Sequence, residues 1–391
     1  MRKSALFAFA LVVLALVFLG LIVLSSASAS NSIRLHHGDA NFFIRRQLMY
    51  LAAGVVIAVC AALFDYRRWR DHVWLTWLAY AAVFGLLCAV FAFPAINGSR
   101  RWLPVGPLRL QPSEFAKVTI VIVVAAYLDR LGWKVELFRR GALVSALFIG
   151  GFAGLVMLEP DFGSMLVVGT VGFLVMLSAG VRFWRHMTVF VLAGGALFVG
   201  RIVTNANRMA RLAAFFGISL EGTGVNVSDA AADRAAYQAT QALAAFANSN
   251  VWGAGLNESM QKYAYLPEAH TDFIFAVGAE ELGIVFSVGV VLLFCAFYSL
   301  SLYIARKAAD RFGRVLVIGM SYIIFFQAIF NIGVVCKALP TKGMALPFFS
   351  YGGTNLLSAF FAVGTILSVG IHSYRERKRS FLRNAVMRNS H

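Results

Sequence analysis

The chain contains 391 residues, of which 60% are hydrophobic and only 14% are charged. Soluble domains are about 45–50% apolar and about 25% charged, so a soluble protein of this size could not bury so much apolar surface. The formal net charge is +17, which in a membrane protein reflects basic residues collected in cytoplasmic loops. The composition excludes a soluble enzyme and a disordered chain. It predicts an all-α polytopic membrane protein with no nucleic acid partner.

Ten segments are predicted as membrane-spanning helices, because a hydrocarbon core about 30 Å thick needs roughly 20 apolar residues per helix. They are residues 4–33, 47–64, 72–99, 112–128, 141–158, 162–181, 186–200, 282–305, 315–336 and 343–374. The fourth and seventh are weaker, because the fourth carries two charges and the seventh is short. The first has 21 apolar or small residues from Ala5 to Ser25. Because a signal-peptide core has only about 7–15, we expect a retained helix.

The distribution of basic residues predicts that both termini are cytoplasmic. With the N-terminus inside, the inner segments hold 21 of the 35 Lys and Arg residues, as the positive-inside rule requires. The basic cytoplasmic tail 375–391 suits an anionic inner leaflet, although a stop-transfer flank explains it equally well. Residues 204–272 are too polar to span and predict a large extracytoplasmic loop between helices 7 and 8. Residues 1–391 are predicted as one membrane domain, with the role of the 217–236 insertion open.

Charged side chains cluster at the start of the predicted fourth helix, on the predicted outer side. Ionisable groups at membrane depth are costly and suggest function. Pro112 suits a first helical turn, and Glu114 and Lys117 are three residues apart, so they share a helix face. One interpretation is a structural ion pair that neutralises itself. The other is a cationic wall, formed by Arg109 and Lys117, that holds an anion such as a diphosphate.

Two more polar turns interrupt the apolar pattern on the same side. The segment 159–163 separates the fifth and sixth helices, and we expect Asp161 to cap the sixth. Asp272 is the last charge before the eighth helix becomes apolar. It is either a helix cap or a functional acid at the membrane boundary, where a helix N-terminus favours the carboxylate and desolvation raises its pKa. Glu280 and Glu281 lie deeper, and at least one must face protein or water.

The segment from Leu339 to Thr354 contains two prolines and three glycines and is predicted to be non-helical. Irregular backbone at this depth is tolerated only where it is buried in protein or lines a cavity. In the predicted topology this segment lies on the same side as the other polar clusters. The cysteines lack metal-ligand spacing and are predicted to be packing residues rather than a disulfide framework; they are Cys60, Cys88, Cys295 and Cys336.

Together these motifs resemble the SEDS family of shape, elongation, division and sporulation proteins. The resemblance covers nearly the whole chain and rests on residues 98–117, 265–283 and 331–353. The runs Arg109–Pro112 and Pro340–Gly343 are more similar to division members of the family than to elongation members. The resemblance implies a ten-helix membrane glycosyltransferase that polymerises lipid II into β-1,4 glycan strands of peptidoglycan and releases undecaprenyl diphosphate.

The resemblance also assigns site residues. The family's essential aspartate falls on Asp272, and its important basic positions fall on Arg109 and Lys117, with Glu114 beside them. The remaining candidates line the cavity or support its loops; they are Arg101, Trp102, Pro267, His270, Lys342, Ser350, Tyr351, Gly352 and Gly353. One departure from the family pattern is Asn257, at a position where glycine is common.

Partners and location follow from the same resemblance. The substrates would be lipid II and the nascent glycan strand, and the protein partners a class B penicillin-binding protein transpeptidase and other divisome proteins. The site of action would be the bacterial cytoplasmic (inner) membrane at the division septum, in contact with membrane lipids. No cofactor is evident from the residues, since the sequence shows no metal-ligand set of recognisable spacing, and a divalent cation, Mg²⁺ or Mn²⁺, is implied only by the resemblance.

The chemistry predicts a role for each charged residue. Asp272 would act as general base towards the acceptor hydroxyl, while Arg109 and Lys117 would stabilise the leaving diphosphate. One alternative is a lipid II flippase, for which internal symmetry or helices broken at the midplane are expected; the sequence shows neither. Another is a non-catalytic scaffold that recruits the transpeptidase. An elongation role instead of a division role is also open.

Overall fold

The computed structural model describes residues 3–35, 39–94, 99–106, 108–181, 229–262, 269–340 and 343–389. The helices in these ranges are α1 (Lys3–Leu35), α2 (Phe42–Leu63), α3 (Arg67–Asp71), α4 (Val73–Ala89), α5 (Pro112–Leu131), α6 (Val144–Leu158), α7 (Phe162–Ser178), α8 (Asp229–Asn248), α9 (Ile274–Arg306), α10 (Arg311–Val335) and α11 (Gly353–Asn389). A π-helical turn, Phe138–Leu143, precedes α6, and 3₁₀ turns cover Val90–Ala92 and Gly132–Glu136. Strands β1 (Leu103–Val105) and β2 (Leu108–Leu110) pair antiparallel.

Seven of the described helices are long and apolar enough to cross a membrane. They are Lys3–Ala29, Phe42–Leu63, Val73–Ala92, Phe138–Leu158, Ile274–Arg306, Arg311–Val335 and Gly353–Ser380. The predicted fourth and sixth spans are the helices α5 and α7, and the predicted seventh span, 186–200, lies outside the described residues. The prediction of a helical polytopic membrane protein is confirmed, and the count of ten spans stays a prediction.

Helix α5 forms the centre of the bundle. It packs against α4, α6, α7, α10 and α11, and most of its side chains are buried. The outer helices instead expose large apolar side chains, among them Phe7, Trp74 and Leu292. Contiguous apolar surface of this extent is unfavourable in water, so these faces are suited to lipid.

Local sequence sets the ends of the central helices. Pro112 occupies the first turn of α5, where its missing N–H costs nothing, and Gly132 follows the helix with a φ of 57°. Asp161 caps α7, since its Oδ1 accepts a hydrogen bond from the Ser164 backbone N–H at 3.2 Å. The prediction that Asp161 caps the sixth span is therefore confirmed.

The predicted extracytoplasmic loop is not irregular throughout. Within residues 204–272 the structure contains α8, a helix of 20 residues, which packs against α9. Ala239, Ala242 and Ala245 are buried along one of its faces, and small alanine side chains allow close approach of the two helices. Residues 204–228 and 263–268 of this segment, including most of the 217–236 insertion, lie outside the described residues.

The prediction that the cysteines are packing residues is wrong. All four thiols are free and exposed, and Cys60 lines an apolar cavity between helices. An apolar run in a membrane helix has a lipid-facing side as well as a packed side. A small apolar residue such as cysteine fits either side, so its presence in the run does not decide which one it occupies.

Candidate active site

The predicted pair at the start of α5 is formed and enclosed. Lys117 Nζ lies 2.6 Å from Glu114 Oε1, and the two side chains are 2% and 7% exposed. The second carboxylate oxygen, Glu114 Oε2, accepts hydrogen bonds from Asn355 Nδ2 at 3.2 Å and from Ser358 Oγ at 3.3 Å. The structure therefore contains the self-neutralising ion pair, tied to the first turns of α11.

Arg109 lies just outside this pair, at the end of β2, with its side chain exposed. Its backbone carbonyl accepts a hydrogen bond from Thr354 Oγ1 at 3.3 Å, and the Gln111 N–H donates to the same hydroxyl at 3.2 Å. These two bonds join the β2–α5 connection to the start of α11. Arg109 is thus a solvent-accessible cation on a fixed backbone.

Asp272 lies in the short turn before α9 and is partly exposed. Its backbone carbonyl accepts a hydrogen bond from Asn331 Nδ2 at 2.7 Å, and the same amide donates to the Met344 carbonyl at 2.6 Å. Gly343 packs against the carboxylate, because a Cβ atom there would lie 2.6 Å from Asp272 Oδ2. Asn331 and the segment after Lys342 therefore hold Asp272 from the side of α10.

The residues next to Asp272 are held by the loop before α11. Ser350 Oγ donates to the Thr271 carbonyl at 2.5 Å, and the Tyr351 N–H donates to the His270 carbonyl at 3.0 Å. The His270 ring lies against Phe43, with ring centroids 4.8 Å apart. His270, Ser350 and Tyr351 thus contact one another or the residues next to Asp272 and hold the turn in place.

The two clusters lie at one end of the bundle, which we call the site end. Ser350 contacts the Asp272 turn and Thr354 contacts Arg109. These two residues are four positions apart, so their Cα atoms are separated by at most about 14 Å. The structure brings together residues that are more than 150 positions apart in the sequence, as the shared-side prediction requires.

A second polar group lies beside α5. Asp161 accepts hydrogen bonds from Gln111 Nε2 at 2.9 Å and Ser113 Oγ at 3.4 Å. Glu159 is fully buried, and neither of its carboxylate oxygens has a hydrogen-bond partner among the described residues. Burial, reinforced by the charge of Asp161, raises the pKa of Glu159 to about 8, which the Arg101 guanidinium partly opposes. Glu159 is therefore a neutral acid at pH 7.

The other predicted residues have less defined surroundings. Arg101 and Trp102 are partly buried at the start of β1. Gly353 is in contact with Tyr50, whose ring atoms would lie 2.2 Å from an added Cβ, whereas Gly352 leaves room for one. Pro267 and Lys342 lie outside the described residues.

Sequence reasoning did not identify several polar residues that hold this end together: Lys262, Asn331, Asn355 and Ser358. Lys262 pairs with Glu281, and its Nζ also bonds Ser26 Oγ, which is 236 positions away. No local pattern marks such contacts. The burial of Glu280 and Glu281 does agree with the expectation that at least one of them faces protein or water, since both are buried in protein.

An apolar cavity of about 730 Å³ opens between α2, α4, α5 and α11. At the site end it reaches Leu110, Phe115 and Ser358, and Ser358 is the residue that bonds Glu114. At the opposite end it reaches Tyr66 and Trp69. The cavity thus connects the polar residues of α5 with a long apolar surface.

No metal centre can be assembled from the part of the chain that the structure describes. Within it, no three His, Cys, Asp or Glu side chains come close enough to hold an ion. The described residues do not supply a protein cage for Mg²⁺ or Mn²⁺, so the divalent cation stays a prediction.

The fold and the site define a polytopic membrane protein with a charged site at one end of its bundle and an apolar cavity beside it. Residues 6–375 match the profile of the FtsW, RodA and SpoVE family, described as "Cell cycle protein". The chain belongs to this family. The sequence-based assignment is confirmed.

Relatives with this architecture share about a third of their residues with the chain. It is 36% identical over 359 residues to "Probable peptidoglycan glycosyltransferase FtsW" of Coxiella burnetii, covering 91% of this chain and 93% of that protein. It is 38% identical over 361 residues to the protein of the same name from Thioalkalivibrio sulfidiphilus, covering 91% and 87%. These relatives carry the division-type name, in agreement with the subfamily predicted from sequence.

Solved structures agree with the fold. The rod shape determining protein RodA of Thermus thermophilus superposes with a TM-score of 0.65 at 26% identity, covering 95% of this chain and 97% of that one. A chain from a structure titled "Structural coordination of polymerization and crosslinking by a peptidoglycan synthase complex" superposes with a TM-score of 0.73 at 26% identity, covering 94% and 98%.

Proposed function

We propose that this protein is a peptidoglycan glycosyltransferase that joins lipid II units into β-1,4 glycan strands and releases undecaprenyl diphosphate. The observation that carries the proposal is the placement of Asp272 and Arg109 at the same end of the bundle, beside an apolar cavity. The names of the FtsW relatives support the same activity. A lipid-linked sugar diphosphate needs an acidic group near its sugar, a cation near its diphosphate and an apolar surface for its lipid.

In the proposed reaction the 4-hydroxyl of an acceptor sugar attacks the anomeric carbon of the donor, and the bond from that carbon to the diphosphate breaks. One in-line displacement converts the α-linked donor into a β-1,4 link. Asp272 removes the hydroxyl proton, which requires a carboxylate within hydrogen-bond reach of the acceptor. The partial exposure of Asp272 leaves its carboxylate accessible to a sugar.

The leaving diphosphate develops negative charge, which fixed cations in a water-poor site stabilise. Arg109 is an exposed cation at the site. Lys117 already pairs with Glu114, and the pair has no net charge, so the structure favours Arg109 over Lys117 as the cation that acts on the diphosphate. The apolar cavity, which begins beside Ser358, would hold the polyprenyl chain.

The proposed placement in the membrane has ten helices, both termini in the cytoplasm and the site end outside. The ion pairs of the opposite end contain Arg67 and Arg70, which suits the cytoplasmic side. The protein would act in the inner membrane at the division septum. A class B penicillin-binding protein is the proposed partner, supported by the likeness to a chain of a peptidoglycan synthase complex, and other divisome proteins are further candidates.

The flippase alternative has one new structural observation. Contrary to the expectation from sequence, one helix is broken, because α9 has non-helical backbone at Gly283. Residues 284–306 after the break still span about 34 Å at 1.5 Å per residue, enough to cross the membrane. The break therefore lies near the site end rather than at the midplane where transporters place it. The polymerase assignment accounts for this position better.

Purified full-length protein supplied with lipid II tests the proposal. Asp272→Asn keeps the shape of the side chain but removes the base, so glycan synthesis should fall by about 10²–10⁴-fold. The products are measured on gels, with lipid translocation in vesicles measured in parallel. Asp71→Asn, an exposed carboxylate at the opposite end, is the matched control and should polymerise normally.

Three outcomes would contradict the assignment. Normal polymerisation by Asp272→Asn would remove Asp272 as the base. Translocation by the wild-type chain without any polymerisation would favour the flippase, and absence of both activities would favour the scaffold.

A further inference from the structure

Helix α9 is interrupted at Gly283, where φ is 78° and ψ is −169°, and the preceding loop fills the interruption. The Ile284 N–H donates to the Asn250 carbonyl at 3.3 Å, and the Ala254 N–H donates to the Glu280 carbonyl at 2.9 Å. Backbone groups on both sides of the break are therefore satisfied by residues 250–255 rather than by the helix itself. The loop and the short first part of α9 form one unit.

Two consecutive glutamates of α9 bind the end of this loop with their side chains. Ser259 Oγ donates to Glu280 Oε2 at 2.5 Å. Lys262 Nζ lies 2.9 Å from Glu281 Oε1, and these side chains are 1% and 0% exposed. Ser26 of α1 donates to the same Glu281 oxygen at 2.6 Å. The loop is thus anchored to α9 and to α1 by a buried charge pair.

Asn257 completes the anchor. Its Oδ1 accepts a hydrogen bond from Lys262 Nζ at 2.6 Å, and its φ is 72°. Asn and Gly are the residues that most readily adopt this left-handed conformation. Asn257 therefore takes this backbone conformation readily and supplies an acceptor for the buried lysine.

A buried ion pair is weak evidence for stability, because the cost of desolvating both charges can exceed their attraction, and apolar replacements are often as stable. What the pair does supply is a single geometry, since the lysine nitrogen can satisfy Glu281, Ser26 and Asn257 together in one position only. This geometry holds the end of the loop and α1 against the first part of α9, which begins two residues after Asp272.

We propose that the Lys262–Glu281 pair positions Asp272 for catalysis. Glu281 lies nine residues after Asp272, in the first part of α9, so the pair fixes the helical segment that directly follows the acid. The turn that contains Asp272 is fixed in addition by Ser350 and Asn331. The inference rests on the proposed polymerase function. Lys262 and Glu281 are positioning residues and do not touch the substrate in this arrangement.

The test replaces both charges at once. Lys262→Met combined with Glu281→Leu leaves no unpaired buried charge, so the full-length protein should fold with wild-type thermal stability. Because small displacements of a reacting group can cost about 10²-fold in rate, we expect kcat for lipid II polymerisation to fall between about tenfold and 10²-fold, with KM within about twofold of wild type. Lys378→Met, on the exposed tail, is the matched control and should leave both constants unchanged.

A second double variant covers the case in which the apolar pair does not fold. Lys262→Gln with Glu281→Gln keeps hydrogen-bonding groups of similar size without the charges, and it should show the same selective loss of kcat. Wild-type kcat in a folded double variant would show that the pair has only a structural role and would overturn the inference. If the wild-type chain makes no glycan, both the proposed function and the positioning inference are overturned. If Asp272→Asn loses glycan synthesis but the double variants have wild-type kcat, only the positioning inference is overturned.

Discussion

Glu159 shows how burial, reinforced by a neighbouring charge, sets the protonation of a side chain. It lies in the turn between α6 and α7 with no exposed surface. Asp161, two residues away, is bonded by Gln111 and Ser113 and stays close enough to oppose a second negative charge. Burial and this charge raise the pKa of Glu159 to about 8. The unfolded chain has the ordinary value near 4.5.

The raised pKa makes stability depend on pH. Between the unfolded value and about pH 8 the folded state binds more protons than the unfolded state, so the free energy of unfolding falls as pH rises through this window and levels off above it. Glu159→Gln stays neutral and should remove this part of the dependence. It should therefore be more stable than wild type at pH 9 and similar to it near pH 5.

Thermal unfolding in detergent from about pH 5 to pH 9 measures this difference. Glu136→Gln, at an exposed position, controls for the loss of a glutamate. Parallel pH profiles of wild type and Glu159→Gln would show that Glu159 ionises normally.

The ion pair of Glu114 and Lys117 is the residue contact that sequence reasoning reached most directly. The partners are three positions apart on one helix, so helical geometry alone brings them together. What the sequence left open was whether Lys117 is bound or available to a ligand. The structure shows that Lys117 is bound to Glu114. Asn355 and Ser358, more than 200 residues further along the chain, hold Glu114 in place by hydrogen bonds to its second carboxylate oxygen.

At the scale of elements, the break in α9 depends on two glycines that touch. An added Cβ at Gly283 would lie 2.4 Å from the Gly253 nitrogen and from the Val251 carbonyl oxygen. Gly253 has a φ of 82°, and a Cβ there would lie 2.2 Å from the Glu281 carbonyl oxygen. Both glycines are required by close backbone approach, and the loop cannot dock without them.

Gly283→Ala should therefore destabilise the protein. The backbone conformation of Gly283 is essentially restricted to glycine and costs another residue about 1–3 kcal/mol, to which the contacts with the loop add. Thermal unfolding in detergent should show a lower midpoint. Gly289→Ala in the same helix meets no atom within 4 Å and should be neutral or stabilising, so equal behaviour of the two variants would contradict the close approach.

At the scale of the whole molecule, Asp310 connects elements at the opposite end. Its Oδ1 accepts hydrogen bonds from the Gly313 N–H at 2.7 Å, which caps α10, and from Tyr66 Oη at 3.2 Å. Its Oδ2 lies 3.6 Å from Arg67 Nε and 3.4 Å from Arg70 Nη1. One carboxylate thus ties α10 to the connection between α2 and α4.

Asp310→Ala should lower the free energy of unfolding by at least the 0.5–2 kcal/mol or so of a lost helix cap, because two arginines also lose a partner. Denaturant or thermal unfolding measures the change. Glu376→Ala removes a partner of Arg67 that is 53% exposed, and exposed pairs contribute about 1 kcal/mol or less. An Asp310 variant no less stable than the Glu376 variant would contradict the central role of Asp310.

The sequence by itself predicted the membrane class, the spans now seen as helices, the cap at Asp161 and the pairing of Glu114 with Lys117. Each of these depends on composition or on residues within one or two helical turns. The sequence did not predict the anchoring of Asp272 by Asn331 and Ser350, the Lys262–Glu281 pair or the docking of residues 250–255 into α9. These contacts join residues distant in sequence, and a single buried polar residue carries no periodic signal that would identify its partner. Local chemistry set the elements, and only their packing brought a carboxylate and an arginine to the same end of the bundle.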